Sequence, residues 1–275
     1  MNSEINEIPA AISPPVIIGA TGGSGTRVIT RIARQAGYYM GKNLNVSEDA
    51  LEFSRLYNFW LNRLIRESLS PPATDFPKKF ERDFNDAVRR HLAAADPAIR
   101  EPSQRWSWKA PRSIYLLPFF HARFPGMKFI HVLRDGRDMA ISGNQNQLRK
   151  HGHRLLNWRE RWLLARPVRS ILLWDRVNFQ AAAYAETHFP ENYLVVRFED
   201  LCLEPVETTS RILKFLETPG DAEKIARAEI SPPSSLGRWR SQPRALIAKM
   251  ERAAGNSLRK FGYFGTDDSP ERKSG

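Results

Sequence analysis

A chain of 275 residues is long enough for one large domain or two small ones, and 41% hydrophobic residues suffice for a sizeable core. Lysine and arginine total 42 against 30 aspartates and glutamates, a net charge of +12. That surplus suits an anionic partner (nucleotide, nucleic acid, acidic glycan or anionic membrane), with a merely solvated basic surface as the alternative. The single cysteine, Cys202, excludes an internal disulfide and a cysteine-built metal site. His151 and His153 sit among arginines and a lysine whose charge opposes cation binding, so no metal is expected.

Residues 1–14 read as a flexible lead-in without the basic and apolar regions of a signal peptide. No segment approaches the roughly 18 apolar residues of a membrane span, so a cytoplasmic protein is expected. Val16–Ile18 is a short β-branched run suited to a parallel strand covered on both faces. A Gly-rich turn follows, then a helix over 26–36 with Gly37 as its stop. Leu51, Leu56, Phe59, Trp60, Leu64 and Ile65 recur at helical spacing within 48–69, and Pro71-Pro72 closes that segment. Further helices are expected over 80–95, 113–123, 138–150, 171–188, 205–216 and 244–254, and further strands over 128–133 and 193–198. The basic, Trp-bearing stretch 151–169 has no clear pattern, and residues 266–275 read as a flexible tail. Strands alternating with helices predict an α/β domain over 15–265: a P-loop-type three-layer fold with a mostly parallel central sheet flanked by helices.

Two segments carry anion-binding chemistry. In Thr21-Gly22-Gly23-Ser24-Gly25-Thr26-Arg27, small residues let backbone N–H groups turn toward an anion at a helix N-terminus. The pattern G-x-x-x-x-G-K-[ST] fails, because Thr26 follows Gly25 where lysine is required, and G-x-G-x-x-G fails at Val28. A Gly-rich turn without a ligand is the alternative. In the second segment, Arg134 stands at a strand end and Ser142 eight residues later, a guanidinium and a hydroxyl able to share one phosphate. Its alternative is an ion-pair network among Arg134, Asp135, Arg137 and Asp138.

Together these segments resemble the sulfotransferases that use 3′-phosphoadenosine 5′-phosphosulfate (PAPS). The resemblance implies that Gly22, Gly23, Ser24, Gly25, Thr26 and Arg27 cradle the 5′-phosphosulfate, and that Arg134 and Ser142 bind the 3′-phosphate. Lys109 in Lys109-Ala110-Pro111 matches a Lys-x-Pro element of the family. Tyr193 opens the matching third strand, Arg238, Trp239 and Arg240 match the family's nucleotide-closing loop, and the resemblance implies that all four help to bind the cofactor. The chain departs from the pattern at Gly23, where many members carry lysine or arginine, and at Pro111, where the cytosolic branch has a catalytic histidine. Arg27 or Lys109 would then supply the missing charge. The likeness is closer to the bacterial branch and to the branches acting on glycans or tyrosine, which use an acidic base after the first helix.

On that resemblance Asp49 is the expected general base and Glu48 the runner-up; helix-terminal charges behind a Ser47 cap are the alternative. Glu199 and Asp200 read as structural partners of arginines or backbone N–H groups. The arginines, Lys150 and Trp158, Trp162 and Trp174 between Arg149 and Arg176 suggest an acceptor side, cations against an anionic acceptor and rings against a sugar or aryl group. A helix with buried tryptophans and a solvated basic face is the alternative. The expected reaction is in-line sulfuryl transfer from PAPS to a hydroxyl of a carbohydrate or small metabolite, releasing 3′-phosphoadenosine 5′-phosphate (PAP), with no nucleic-acid partner. The rivals are a non-catalytic nucleotide or polyanion binder on the same fold and a small-molecule P-loop kinase.

Overall fold

The structure is a computed structural model that describes residues 12–68, 76–93 and 105–264. The expected C-terminal tail, most of the N-terminal lead-in, Pro71-Pro72 and the ends of the helices expected over 48–69 and 80–95 lie outside these residues. Ile12 packs on the core, and the Ser13 carbonyl accepts a hydrogen bond from Trp106 Nε1 at 2.7 Å.

Four parallel strands, β1 (Val16–Ala20), β2 (Ser107–Lys109), β3 (Lys128–Leu133) and β4 (Tyr193–Arg197), form one sheet in the order β2-β1-β3-β4. Successive side chains leave a strand on opposite faces, and both faces of this sheet are buried. Ile17 and Phe129 enter one core with Phe53, Trp60, Phe80, Phe84 and Phe120. Val16, Ile18, Ile130 and Val132 enter another with Ile29, Ile32, Ile212 and Ile225. Helices on both sides make the three layers.

The first helices are α1 (Thr26–Gln35), α2 (Leu51–Ser68), α3 (Lys78–Ala93) and α4 (Leu117–Arg123), the last preceded by a 3-10 turn over Pro111–Leu116. Then follow α5 (Gly136–Ala140), α6 (Asn146–Leu155), α7 (Trp158–Leu163) and α8 (Arg166–His188). The chain ends on α9 (Phe198–Leu203), α10 (Pro205–Phe215), α11 (Ala222–Glu229) and α12 (Arg244–Lys260). A third cluster, with Trp174, Met250, Leu258 and Phe261, joins α8 and α12 beside the sheet.

Several elements differ from expectation for local reasons. α2 starts at Leu51 because Glu48 takes a left-handed φ of 61°, and Ser47 lies in the preceding loop rather than at a cap. The single helix expected over 138–150 is two, α5 and α6, because Ser142-Gly143-Asn144 favours a turn over helix continuation. α8 begins at Arg166 because Pro167 suits a first helical turn. Phe198 opens α9 instead of ending β4. α11 starts where the Asp221 side chain accepts from Lys224 N at 2.9 Å. α12 continues past Ala254 through a kink with φ of −130°.

Topology places the site. From β1 the chain crosses to β2 on one side, then returns across β1 to β3 on the other. The connections therefore diverge at the carboxyl ends of β1 and β3, where parallel α/β sheets open a crevice.

Candidate active site

That crevice is a cleft of about 800 Å³ lined by Gly22, Gly23, Gly25, Thr26 and Arg27 from the loop after β1, Lys109 from the end of β2, and Arg134 from the end of β3. Arg31, Arg112 and Lys150 add further cations, facing the carboxylates of Asp49 and Glu229. The field in the cleft is thus set for an anion.

The Gly-rich loop is shaped by sterics. Gly25, the residue before α1, has φ of 80°, and a Cβ there would meet Phe198 Cδ2 at 2.1 Å. Having no side chain, it cannot cap α1, and no acidic residue occupies the first turn. The positive end of the helix is left open to the cleft. Ser24 is buried and its hydroxyl donates to the Thr21 carbonyl, so it ties the turn together. Arg27 is exposed on the first turn of α1.

The two acids proposed from sequence part company. Asp49 lines the cleft, with Lys109 Nζ on its Oδ1 and Asn45 Nδ2 on its Oδ2 at 3.1 Å. Lys109 also donates to the Ser47 carbonyl, and its side chain is only 1% exposed. Burial lowers the Lys109 pKa, and the Asp49 charge opposes that shift most strongly. Glu48 turns to the outer face of α1, accepting from Arg31 Nε at 2.9 Å and Arg34 Nη2 at 3.2 Å. Partial burial pushes its carboxyl up, but these arginines hold it below the usual range. The nearby Glu52 is buried, bonded to Asn43 at 2.8 Å and 3.7 Å from His91 Nδ1.

Arg134 combines contacts within the protein with access to the cleft. Its Nη2 donates to the Ser235 carbonyl at 2.6 Å and to Asp138 at 3.4 Å, while Nε is buried without a hydrogen-bond partner among the described residues. Asp138, fully buried, accepts from the backbone N–H groups of Gly237 at 2.7 Å and Trp239 at 2.9 Å. Arg238 donates to the Asp138 carbonyl at 2.9 Å, and Trp239 packs 3.5 Å under Arg137. The expected nucleotide-closing loop thus docks against the segment after β3, while Arg240, stacked on Trp239 at 4.8 Å, is exposed. Arg137 is held by Asp135, Glu251 and the Tyr263 carbonyl, so the ion-pair network anticipated for this segment coexists with an Arg134 that reaches the cleft.

Other expected residues are not brought to the cleft. Ser142 lies past the C-terminus of α5, not in the first turns of a helix, and its hydroxyl accepts from Asn144 N at 3.1 Å. Tyr193 starts β4 and bonds His131 Nδ1 at 2.6 Å within the core. Of the stretch 149–176, only Lys150 lines the cleft; Trp174 is buried on the Arg134 carbonyl, whereas Trp158 and Trp162 are exposed. Glu199 is structural as expected, accepting from Asp135 N at 3.0 Å and Tyr263 Oη at 2.9 Å, and burial raises its carboxyl. Sequence reasoning missed Arg112, held by Asn58 Oδ1 at 2.9 Å and the Ser54 carbonyl at 3.0 Å; no local pattern marks it.

A Gly-rich strand-to-helix loop and a buried arginine at adjacent parallel strand ends mark an α/β protein with a cleft rich in cations. A profile of the sulfotransferase family matches residues 15–222, and the chain belongs to that family, the PAPS-dependent sulfotransferases. Solved structures agree on the fold. The sulfotransferase STF1 of Mycobacterium tuberculosis is 15% identical with a TM-score of 0.51, over 89% of this chain and 77% of that one. The sulfotransferase domain of the Synechococcus PCC 7002 olefin synthase is 17% identical with a TM-score of 0.53, over 92% and 98%. A sulfotransferase from Alicyclobacillus acidocaldarius is 16% identical with a TM-score of 0.50, over 91% and 94%. No curated protein matches by sequence.

Proposed function

We infer that this protein transfers the sulfuryl group of PAPS to a hydroxyl of a small-molecule or glycan acceptor, with Asp49 as general base. The observation that carries this reading is the meeting of Asp49 and Lys109 in one cleft with the Gly22–Arg27 loop. The chain's groups fit the donor: the α1 N-terminus and its amides suit the 5′-phosphosulfate, and Arg134, with an unspent Nε–H, suits the 3′-phosphate. PAPS supplies an activated sulfuryl group on a good leaving group.

The acceptor hydroxyl attacks sulfur in line as the bond from sulfur to the donor's bridging oxygen breaks, and its proton passes to an Asp49 carboxylate oxygen. Lys109 orients Asp49 and places positive charge where the donor's negative charge grows. Together with Arg27 it replaces the basic side chain that Gly23 lacks. Glu48, spent on Arg31 and Arg34, has no part in the step.

The test is incubation with PAPS and a panel of phenols, alcohols and sugars, read by mass spectrometry. PAP and a sulfated acceptor should form in equal amounts. PAP binding without any transfer would favour the non-catalytic reading, and preference for ATP the kinase reading.

A further inference from the structure

We propose that the surface around α7 docks the protein onto anionic phospholipid bilayers. Trp158, Trp162 and Leu163 are 63%, 78% and 73% exposed, the mark of side chains that protrude rather than pack. Isolated exposed apolar residues need no explanation, but three on one short helix form a patch. Every exposed charged side chain from Arg149 to Arg166 is basic: Arg149, Lys150, Arg154, Arg159, Arg161 and Arg166. The one acid of that stretch, Glu160, faces inward onto Arg176, with 2.9 Å between its Oε2 and Nη1.

The patch is also preset. A capping box between Asn157 and Glu160 fixes the start of α7, Arg176 bonds both Glu160 and the Leu155 carbonyl, and Arg169 Nη1 holds the Arg161 carbonyl at 3.0 Å. The rings are therefore presented on a braced element and pay little ordering entropy on insertion. Behind Trp162 lies a pocket of about 530 Å³ lined by Arg149, Arg161, Arg166 and Arg169, cationic where lipid phosphates would gather.

Tryptophan and leucine within a collar of arginines match the interfacial zone of a membrane, where rings sit at headgroup depth and guanidinium groups reach lipid phosphates. A second copy of the chain suits the surface poorly, because an isologous contact would bring like charges together. Three protruding side chains also fall well short of the roughly 800 Å² per partner of a stable protein interface.

The test is flotation with vesicles of phosphatidylcholine, with and without phosphatidylserine, at low salt. The protein should float only with the phosphatidylserine vesicles and be released by salt. The Trp158→Ser/Trp162→Ser variant should lose about tenfold or more of its vesicle partition. Arg159→Gln/Arg161→Gln should lose the preference for anionic lipid. Both sets lie outside the cleft, so an unchanged thermal midpoint and unchanged PAP binding serve as controls, and failure of the donor reading would not affect the flotation result. Equal flotation with both vesicle types, or tryptophan variants that float like the parent, would overturn the proposal. So would self-association that the tryptophan variant abolishes without vesicle binding by the parent.

Discussion

Asp49→Asn removes the proposed base while keeping its shape. The amide oxygen can still accept from Lys109, but the buried ammonium loses the charge that most opposes the lowering of its pKa. Asp49 is 20% exposed, so the stability cost falls between that of a surface pair and that of a buried one, roughly 1–2 kcal/mol. For a domain of this size that is a fall in Tm of about 2–4 °C. The kinetic effect should be far larger: loss of a general base costs roughly 10²–10⁴ in kcat, about 3–5 kcal/mol of barrier. Glu48→Gln is the control, because its partners Arg31 and Arg34 are 41% and 49% exposed. It should cost at most about 1 kcal/mol of stability and leave kcat within about threefold. Both variants are read by single-turnover transfer from radiolabelled PAPS to the best acceptor in the panel, alongside PAP affinity and thermal melts. The reasoning fails if Glu48→Gln abolishes transfer while Asp49→Asn retains it, or if Asp49→Asn lowers PAP affinity as much as it lowers kcat.

Gly25→Ala should destabilise the fold by about 2 kcal/mol or more in chemical denaturation and weaken PAP binding, because its Cβ strikes Phe198 at a left-handed φ. Lys109→Met should depress kcat well beyond its effect on Tm, measured in the same transfer assay, because the proposed donor site then lacks one of its buried cations. His131 is fully buried between Tyr193 Oη and Asn178 Oδ1, and burial lowers its pKa to about 4 from 6.5. The unfolded chain therefore takes the proton first. Stability is intact above pH 6.5 and falls as pH drops toward 4, by about 3 kcal/mol from this group. His131→Asn should flatten that part of the pH–stability curve in denaturant titrations; an unchanged slope would refute the assignment.

The strands β1, β3 and β4 were legible because short apolar runs rich in β-branched residues leave little room for another reading, and β1 and β3 are buried on both faces. β2 was not, since Ser107–Lys109 is too short to show a period and takes its strand form by pairing with β1. The Gly-rich loop and the strand leading into Arg134 were legible from residue type and spacing, but the helix behind Arg134 was expected unbroken: the turn at Ser142-Gly143-Asn144 ends α5 before Ser142. The sequence ranked Asp49 ahead of Glu48 but did not show how far apart their side chains lie, because that separation turns on one backbone angle. The left-handed φ at Glu48 sends neighbouring acids to opposite sides of the loop, one to Arg31 and one to Lys109. The tryptophans of 158–174 divide likewise by tertiary context. Trp174 is buried by α8 against Gly136, and the other two are left outside.

The most direct test of the donor site is a thermal shift with PAP and with AMP, which lacks the 3′-phosphate, on the parent and on Arg134→Met. At about a hundred times its Kd, a ligand adds roughly 2.7 kcal/mol, several degrees here. The account predicts a larger shift with PAP than with AMP in the parent, and equal, smaller shifts in Arg134→Met. Equal shifts in the parent, or a PAP preference that survives the substitution, would contradict it.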